Sequence, residues 1–312
     1  IVSGVFCASV FLGCLHRRTS VGTCGSTSFN SVGVHRQPDL VFCHGEALDR
    51  GPNQHVISYS LYGSLNSQQF VDKYLFPLRN RLKHIQTKYP GWLVRVHTGL
   101  DISDLWVQTY LEGLLCEFPN LDICVVQNLP TSVWNFSSIE NKMLWRLIPL
   151  LDPMVDIVLS RDLDSYILWR EVEAVKEFIN SSSLLHSMYD HPQHTAPLVG
   201  LLGVKMTENR TRLQEAVRQV LFPRSQAFEY YEDYLSVKQL LWDPLERQAL
   251  IHASYACEKW NKTSAWKPFP TRRIGWRYTG YGEHKSRFLL LVKAFPCSYQ
   301  CRPANFKHWT YC

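Results

Sequence analysis

Long runs of one charge are missing from this sequence of 312 residues. Its 33 lysines and arginines and 27 acidic residues leave a formal net charge of +6, which is spread along the chain. A nucleic-acid-binding surface needs clustered basic residues, so this distribution argues against nucleic acid as a partner. A mildly basic surface does suit anionic substrates.

Paired Cys-x-x-Cys arrays with histidines nearby are also lacking, which argues against a structural zinc site. The ten cysteines are better explained as disulfides formed in an oxidising compartment. Acceptor sites for N-glycosylation support this; they begin at Asn135, Asn180, Asn209 and Asn261. These features predict a protein of the secretory pathway, in the Golgi or ER lumen, with secretion as the alternative.

The apolar stretch 1–15 is shorter than the roughly 20 residues that a membrane-spanning helix needs. Two interpretations stay open, a signal-peptide core and a truncated membrane anchor. We favour the anchor, in a type II arrangement, although His16-Arg17-Arg18 would favour the opposite orientation under the positive-inside tendency.

The chain divides into four segments and has no internal repeat. They are a hydrophobic signal or anchor at 1–18, a stem or loop at 19–54, one α/β domain at 55–296, and a cysteine-containing tail at 297–312. The second segment is rich in Ser, Gly, Thr and Asn and lacks periodicity, as stems and loops do.

Strands and helices alternate through the α/β domain. Apolar runs predict strands at 55–62, 92–97, 122–127 and 155–159, and helical spacing predicts helices at 69–88, 102–117 and 139–151. This alternation is typical of a Rossmann-like, mostly parallel sheet flanked by helices. Ligands of such sheets bind beyond the carboxyl ends of the strands, where 58–63 and 160–165 are expected to lie. A further helix is predicted from the apolar stripe of Trp169, Val172, Val175, Phe178 and Ile179.

Two acidic residues, Asp162 and Asp164, follow a predicted strand directly, with one residue between them. At a strand end this spacing can bring two carboxylates to one cation. Mn²⁺ and Mg²⁺ prefer such oxygen ligands and often share them with substrate phosphates. Aspartate is also common in turns, where its side chain bonds nearby amides, but the position after a buried strand favours a metal site.

Several motifs surround this pair in a fixed order. They are Tyr89-Pro-Gly-Trp-Leu-Val-Arg95, Ser160-Arg-Asp-Leu-Asp-Ser165, Arg170-Glu171, Ala174-Val175 and Met188-Tyr-Asp-His-Pro-Gln-His194. With them the sequence resembles the GT-A-fold glycosyltransferases over roughly 55–280. The resemblance implies a GT-A-like domain that transfers a sugar from a nucleotide-diphosphate donor to a hydroxyl acceptor on a glycan, protein or lipid, with Mn²⁺ or Mg²⁺ as cofactor.

The resemblance also implies roles for particular residues. Asp162, Asp164 and His252 would hold the metal. In the acidic pair Glu232-Asp233, Asp233 would act as general base if the reaction inverts configuration. Related sequences often have Asp after the histidine, where this chain has Ala253.

A glycine loop is the remaining element, and Gly200 and Gly203 are the candidates, since glycine lets the backbone approach a donor sugar closely. The group of GT-A-fold glycosyltransferases that this sequence resembles usually has a paired glycine followed by Trp-Gly. In this chain Leu201 replaces one glycine of the pair and Leu202 replaces the tryptophan. The resemblance therefore does not assign a particular donor sugar to this chain.

Further donor contacts are expected along the strand end and on the helix before the aspartates. The full donor set is Ser58, Tyr59, Ser60, Tyr62, Gly63, Arg95, Lys142, Arg146, Arg161, Asp162, Gly200 and Gly203. Lys142 and Arg146 lie four apart, hence on one face of an α-helix, where they would reach the nucleotide phosphates or remain solvated charges.

The cluster of Asp190, His191 and His194 would line the acceptor side or shape the glycine loop through hydrogen bonds, and we favour the second role.

Two other functions stay open. A sugar nucleotidyltransferase would use a similar sheet and metal site, but the secretory features argue against it. A non-catalytic relative that binds glycan or protein is favoured by the altered glycine loop and by Ala253.

Overall fold

A computed structural model describes residues 42, 43, 47, 49–129, 134–223, 235–260, 265–282 and 288–312. The predicted signal or anchor at 1–18 and the acidic pair Glu232-Asp233 lie outside these residues. Within them, no helix has the length and apolar character needed to cross a membrane.

The described strands form one sheet. They are β1 (Gln54–Leu61), β2 (Leu93–Thr98), β3 (Leu121–Val125), β4 (Val155–Arg161), β5 (Leu185–Tyr189), β6 (Leu201–Lys205), β7 (Ala249–Ala253) and β8 (Ala265–Lys267). Their order across the sheet is β3-β2-β1-β4-β6-β5-β7-β8. Strand β6 runs antiparallel to β4 and β5, and the other pairs are parallel. The predicted α/β class with a mostly parallel sheet is confirmed.

Helices flank the sheet. The α-helices of the described part are α1 (Gln68–Phe70), α2 (Leu78–Lys88), α3 (Leu105–Glu117), α4 (Trp169–Ile179), α5 (Arg210–Leu221) and α6 (Leu289–Ala294). Apolar residues on the two faces of the sheet form two separate cores. Strand β1 contributes Val56 to one core and Ile57, Tyr59 and Leu61 to the other, as expected for side chains that alternate between faces.

The predicted single helix at 69–88 is interrupted. After α1 the chain makes a π-helical turn at Val71–Leu75, and α2 begins only after Pro77. Proline has no N–H to donate to the preceding turn, so a continuous helix cannot pass through this position with its full set of hydrogen bonds. Lys73 therefore lies on the π-helical turn and outside α2.

The predicted helix at 139–151 is instead a 3₁₀-helix at Lys142–Leu151, with a shorter one at Phe136–Ser138. Three residues per turn replace 3.6, so residues three apart share a face. In α4 the predicted stripe holds for Val172, Val175 and Phe178, which are buried, but Trp169 is 50% exposed. Trp169 is the first residue of the helix, and its side chain lies outside the core.

Disulfides connect distant parts of the chain, as the cysteine content predicted. Cys43 pairs with Cys124, Cys257 with Cys301, and Cys297 with Cys312. Cys116 is also disulfide-bonded. The bridge from Cys301 fastens the C-terminal tail to the segment after β7. These bonds are consistent with a secreted or lumenal protein.

Candidate functional site

A cleft of about 300 Å³ opens at the carboxyl ends of β1 and β4. The first of these strands brings Ser60 and Tyr62 to it, and the loop after the second brings Asp162 and Asp164. Because parallel strands end at the same edge of a sheet, two segments about 100 residues apart in the chain meet here.

Each of the two aspartates is paired with a cation. The Asp162 side chain is 38% exposed, and one of its oxygens lies 2.5 Å from Nη1 of Arg146. The Asp164 side chain is 9% exposed, and its Oδ2 lies 3.1 Å from Nζ of Lys73. All four side chains belong to one cleft, which therefore has charges of both signs.

The 3₁₀-helix determines which of its cations reaches the cleft. Met143 and Arg146, three residues apart, both line it. Lys142 is exposed, and its ammonium lies 5.8 Å from the ring of Trp145, the residue three positions further on. The prediction that Lys142 and Arg146 share one face is therefore wrong, because it assumed the α-helical repeat.

The hydroxyl of Ser60 fixes this helix against β1. It donates to the carbonyl of Met143 at 3.0 Å and accepts from the backbone N–H of Arg146 at 2.9 Å. By contrast, Ser58 and Tyr59 are buried within the sheet rather than at the cleft. At Gly63 an added Cβ would lie 2.3 Å from the ring of Phe70, so only glycine lets the chain pass that ring.

Of the two candidate loop glycines, Gly200 is the one beside the aspartates. A Cβ there would lie 2.5 Å from the carboxyl carbon of Asp162. Gly203 lies within β6, where a Cβ would meet His186 and Phe178 at 3.1 Å. Gly203 therefore permits close packing inside the core, and Gly200 permits the observed position of Asp162.

We expect Gly200→Ala to displace the Asp162 carboxylate and, if the cleft binds a nucleotide with Mn²⁺ as the family resemblance implies, to weaken that binding by about tenfold, the equivalent of roughly 1.4 kcal/mol. Isothermal titration would measure it. The matched control is Gly113→Ala in the exposed face of α3, where a Cβ meets nothing within 4 Å. That variant should raise helix stability and leave binding unchanged. If Gly200→Ala bound the nucleotide as tightly as the wild type, Asp162 would not take part in nucleotide binding.

Two predicted donor contacts are engaged elsewhere. The buried guanidinium of Arg161 lies 2.6 Å from Oε1 of buried Glu171, so it points into the protein although its backbone borders the cleft. Arg95 is also buried, with Nη1 2.5 Å from Asp152 and Nη2 2.6 Å from Gln54. Those partners lie at the opposite, amino-terminal end of β1 and β4. Neither guanidinium is placed to contact a donor in the cleft.

Asp190 is fully buried at the end of β5, at the centre of a charged network. Arg170 binds it with two N–H groups at 3.0 Å, and Nη2 of Arg273 lies 2.7 Å away. Ser254 Oγ donates to it at 2.7 Å, and the backbone N–H of Thr279 at 2.9 Å. Despite the cost of burial, the two arginines hold the pKa of Asp190 below its usual value. These contacts favour the loop-shaping role over a contact with acceptor.

His191 and His194 pack next to this network. His191 is buried, with Nε2 3.1 Å from the carbonyl of Phe288 and Nδ1 3.1 Å from the backbone nitrogen of Gln193. Its ring lies 4.6 Å from that of Tyr278 and 5.3 Å from that of His194. Here the histidines shape the chain after β5 through local packing.

The structure does not bring His252 to the aspartates. His252 lies on β7, which is separated from β4 by β6 and β5. Three strand spacings amount to roughly 14 Å. The buried ring of His252 instead contacts His186 at 2.9 Å and Glu177 at 3.4 Å. We therefore leave His252 out of the proposed metal site.

These two buried histidines give a pH-dependent stability. Burial lowers the pKa of His186 and of His252 below the ordinary value of 6.5. The unfolded chain takes up protons that the folded chain does not, so their contribution is fully present above about pH 6.5 and is lost as the pH falls. We expect the contribution of His186 to fall by about 1 kcal/mol between roughly pH 6.5 and 5.5, and that of His252 to change in the same direction.

Urea unfolding at several pH values would measure this loss. His186→Gln should flatten the profile, whereas His308→Gln, at an exposed position, should leave it unchanged. An identical slope in His186→Gln would contradict the assignment.

The donor atoms at the cleft are compatible with a hard divalent cation. Within the described ranges, no group of three or more His, Cys, Asp and Glu side chains is arranged to hold a metal ion. Asp162 and Asp164 nevertheless provide carboxylate oxygens at one cleft. Mg²⁺ and Mn²⁺ commonly bind one or two carboxylates and complete their shells with water and substrate phosphates.

Lys73, Tyr74 and Met143 also line the cleft, and the sequence did not predict them. Lys73 and Tyr74 lie in the stretch taken as a regular helix, and the π-helical turn has no clear sequence signal. Met143 could be placed at the cleft only with knowledge of the 3₁₀ repeat. Pro77 was the available sign that the helix at 69–88 is broken.

No protein-family model matches the sequence, and no curated protein matches it. The solved structures that are similar in part include two enzymes. A glycosyltransferase involved in the glycosylation of the major capsid of PBCV-1 is 12% identical, with a TM-score of 0.37, over 65% of this chain and 83% of that one. The 4-diphosphocytidyl-2C-methyl-D-erythritol synthase of Anaerococcus prevotii DSM 20548 is 11% identical, with a TM-score of 0.38, over 67% of this chain and 90% of that one. The function proposed for this chain therefore depends on the residues of its cleft.

Proposed function

We propose that this chain is a metal-dependent glycosyltransferase that moves a sugar from a nucleotide diphosphate to a hydroxyl acceptor. One observation carries the proposal. Asp162 and Asp164 open onto a single cleft at the carboxyl ends of β1 and β4, beside the cations of Arg146 and Lys73. This is the edge of an α/β sheet at which nucleotides bind.

Asp162 and Asp164 would hold Mn²⁺ or Mg²⁺. When bound, such an ion neutralises the negative charge that grows on a departing diphosphate. Arg146 adds a fixed positive charge on the same side, because its backbone N–H is bonded to Ser60 and its guanidinium to Asp162. Other residues in and beside the cleft would make the remaining contacts with the donor and the acceptor.

Tyr62 is partly exposed and would pack against the nucleoside, with its ring 6.1 Å from that of Trp145. Gly200 would leave room for the Asp162 carboxylate at its position beside the donor. The acceptor would approach from the segment after β6, and Asp233 would accept its proton if configuration inverts. Asp233 lies outside the described residues, so its role depends on the family resemblance alone.

The test is hydrolysis of a panel of UDP-, GDP- and CDP-linked sugars by the purified chain, with Mn²⁺, with Mg²⁺ and with EDTA. Metal-dependent release of sugar from at least one donor supports the proposal. Release of pyrophosphate from a nucleoside triphosphate and a sugar 1-phosphate would indicate the nucleotidyltransferase instead. Glycan binding that is indifferent to metal, without turnover of any donor, would indicate the non-catalytic relative.

A further inference from the structure

The two cations of the cleft differ in how firmly they are held. Arg146 is attached at several points, since its backbone N–H bonds Ser60 and its Nη1 contacts both Asp162 and the carbonyl of Arg161. Lys73 extends from the π-helical turn Val71–Leu75 on a flexible four-carbon stem. Its side chain is 20% exposed, so water already reaches it. Lys73 is therefore the cation that can move.

The partner of Lys73 is fixed in place. The carbonyl of Asp164 accepts from Nη2 of Arg81 at 3.4 Å and lies so close to Gly282 that a Cβ there would be 2.0 Å away. The next residue, Ser165, donates its hydroxyl to the carbonyl of Gly280 at 2.9 Å. The loop carrying Asp164 is thus held between α2 and the segment 280–282, so the backbone from which the carboxylate extends is fixed in place.

A divalent cation and the Lys73 ammonium compete for this carboxylate. Nζ lies 3.1 Å from Oδ2 of Asp164, and a bound Mg²⁺ would lie about 2 Å from a carboxylate oxygen. A divalent cation bound to the carboxylate would therefore lie close to the Lys73 ammonium, and two positive charges so close repel strongly in a partly buried cleft. The ammonium, which lies beside this carboxylate in the unliganded chain, therefore has to move away when a divalent cation binds there.

We propose that Lys73 is a displaceable counterion, whose ammonium neutralises Asp164 in the unliganded chain and transfers to the donor diphosphate when a divalent cation binds. This rests on the proposed function, because the diphosphate supplies the new partner. The transfer keeps the cleft close to electrical balance in both states: the ion replaces the ammonium at Asp164, and the ammonium meets the negative charge that enters with the ion. Lys73 acts here as a binding residue and as a barrier to metal without donor.

The proposal predicts opposite effects on two ligands. Lys73→Met should bind Mn²⁺ alone about tenfold more tightly, because the competitor is gone, and should bind UDP or GDP at saturating Mn²⁺ about tenfold more weakly, because a phosphate contact is lost. Isothermal titration measures both affinities without any need for turnover. Lys73→Arg keeps the charge and should restore the weaker Mn²⁺ binding.

The matched control is Lys83→Met. Lys83 lies on α2, is largely exposed and pairs with Glu117 at 3.2 Å, so both affinities should match those of the wild type. A Lys73→Met variant with unchanged or weaker Mn²⁺ binding, or with unchanged nucleotide binding, overturns the proposal. If that variant fails to fold, Lys73→Gln takes its place. Wild-type protein that binds none of UDP, GDP and CDP in the presence of Mn²⁺ would instead refute the proposed function, which separates the two failures.

Discussion

Asp164→Asn is expected to lower metal-dependent cleavage of the nucleotide sugar by a hundredfold or more, roughly 3 kcal/mol of transition-state stabilisation. The amide keeps the shape of the side chain but loses the charge that a divalent cation needs. It also removes the ion pair with Lys73, whose ammonium lies 3.1 Å from the carboxylate. Steady-state kinetics across a range of Mn²⁺ concentrations would show the loss in kcat, with little recovery at high metal.

The matched control for this variant is Asp72→Asn. Asp72 is exposed on the π-helical turn beside Lys73 and accepts a hydrogen bond from Gln68 at 2.8 Å. It has the same charge as Asp164 and lies close in the chain to the cleft lining, so loss of one nearby negative charge is common to both variants. Turnover should be retained in Asp72→Asn. An equal loss of turnover in the two variants would show that turnover depends on the overall negative charge near the cleft and not on metal coordination by Asp164.

Asp190→Ala is expected to reduce the free energy of unfolding by about 3–5 kcal/mol, because it leaves two buried guanidinium groups without their carboxylate. Arg170 and Arg273 both lie within 3.0 Å of Asp190 oxygens, and none of the three side chains is exposed to solvent beyond a few per cent. Urea denaturation with the disulfides intact would measure the loss.

An exposed ion pair provides the comparison for Asp190. Glu173 lies 2.7 Å from Lys176 on the surface of α4, and their side chains are 36% and 57% exposed. Glu173→Ala should change stability by less than about 0.5 kcal/mol, because water screens such pairs. If Asp190→Ala also stayed within that range but lost affinity for an acceptor, Asp190 would belong to the acceptor side, the interpretation that its buried contacts disfavour.

Local patterns predicted much of the fold. Apolar runs located β1 to β4 to within a residue or two, because a strand covered on both faces needs nearly continuous apolar sequence. The alternation of strands and helices then indicated a parallel sheet, and with it the edge at which Asp162 and Asp164 lie. That reasoning needed only neighbouring residues and a rule about strand ends.

The positions of residues that depend on contacts between distant parts of the chain could not be predicted in the same way. His252 follows the aspartates in the order expected from the family resemblance, yet β6 and β5 lie between β7 and β4. The order of strands across a sheet is set by packing between remote segments, which a single sequence does not display. For the same reason, Arg95 and Arg161 could not be recognised as partners of Asp152 and Glu171.

Departures from the regular α-helix account for the remaining differences. The 3₁₀ repeat selects Met143 and Arg146 for the cleft and turns Lys142 outward. The π-helical turn after α1 presents Lys73 to Asp164. Both differ from the α-helix by a fraction of a residue per turn, a difference too small for apolar periodicity to reveal over five to ten residues.

A crystal of the chain soaked with a nucleoside diphosphate and Mn²⁺, measured at a wavelength where manganese scatters anomalously, tests the central claim most directly. The account predicts an anomalous peak bonded to carboxylate oxygens of both Asp162 and Asp164, with the diphosphate completing the shell inside the same cleft. A nucleotide bound elsewhere, or a diphosphate in the cleft with no manganese at either carboxylate, would contradict it.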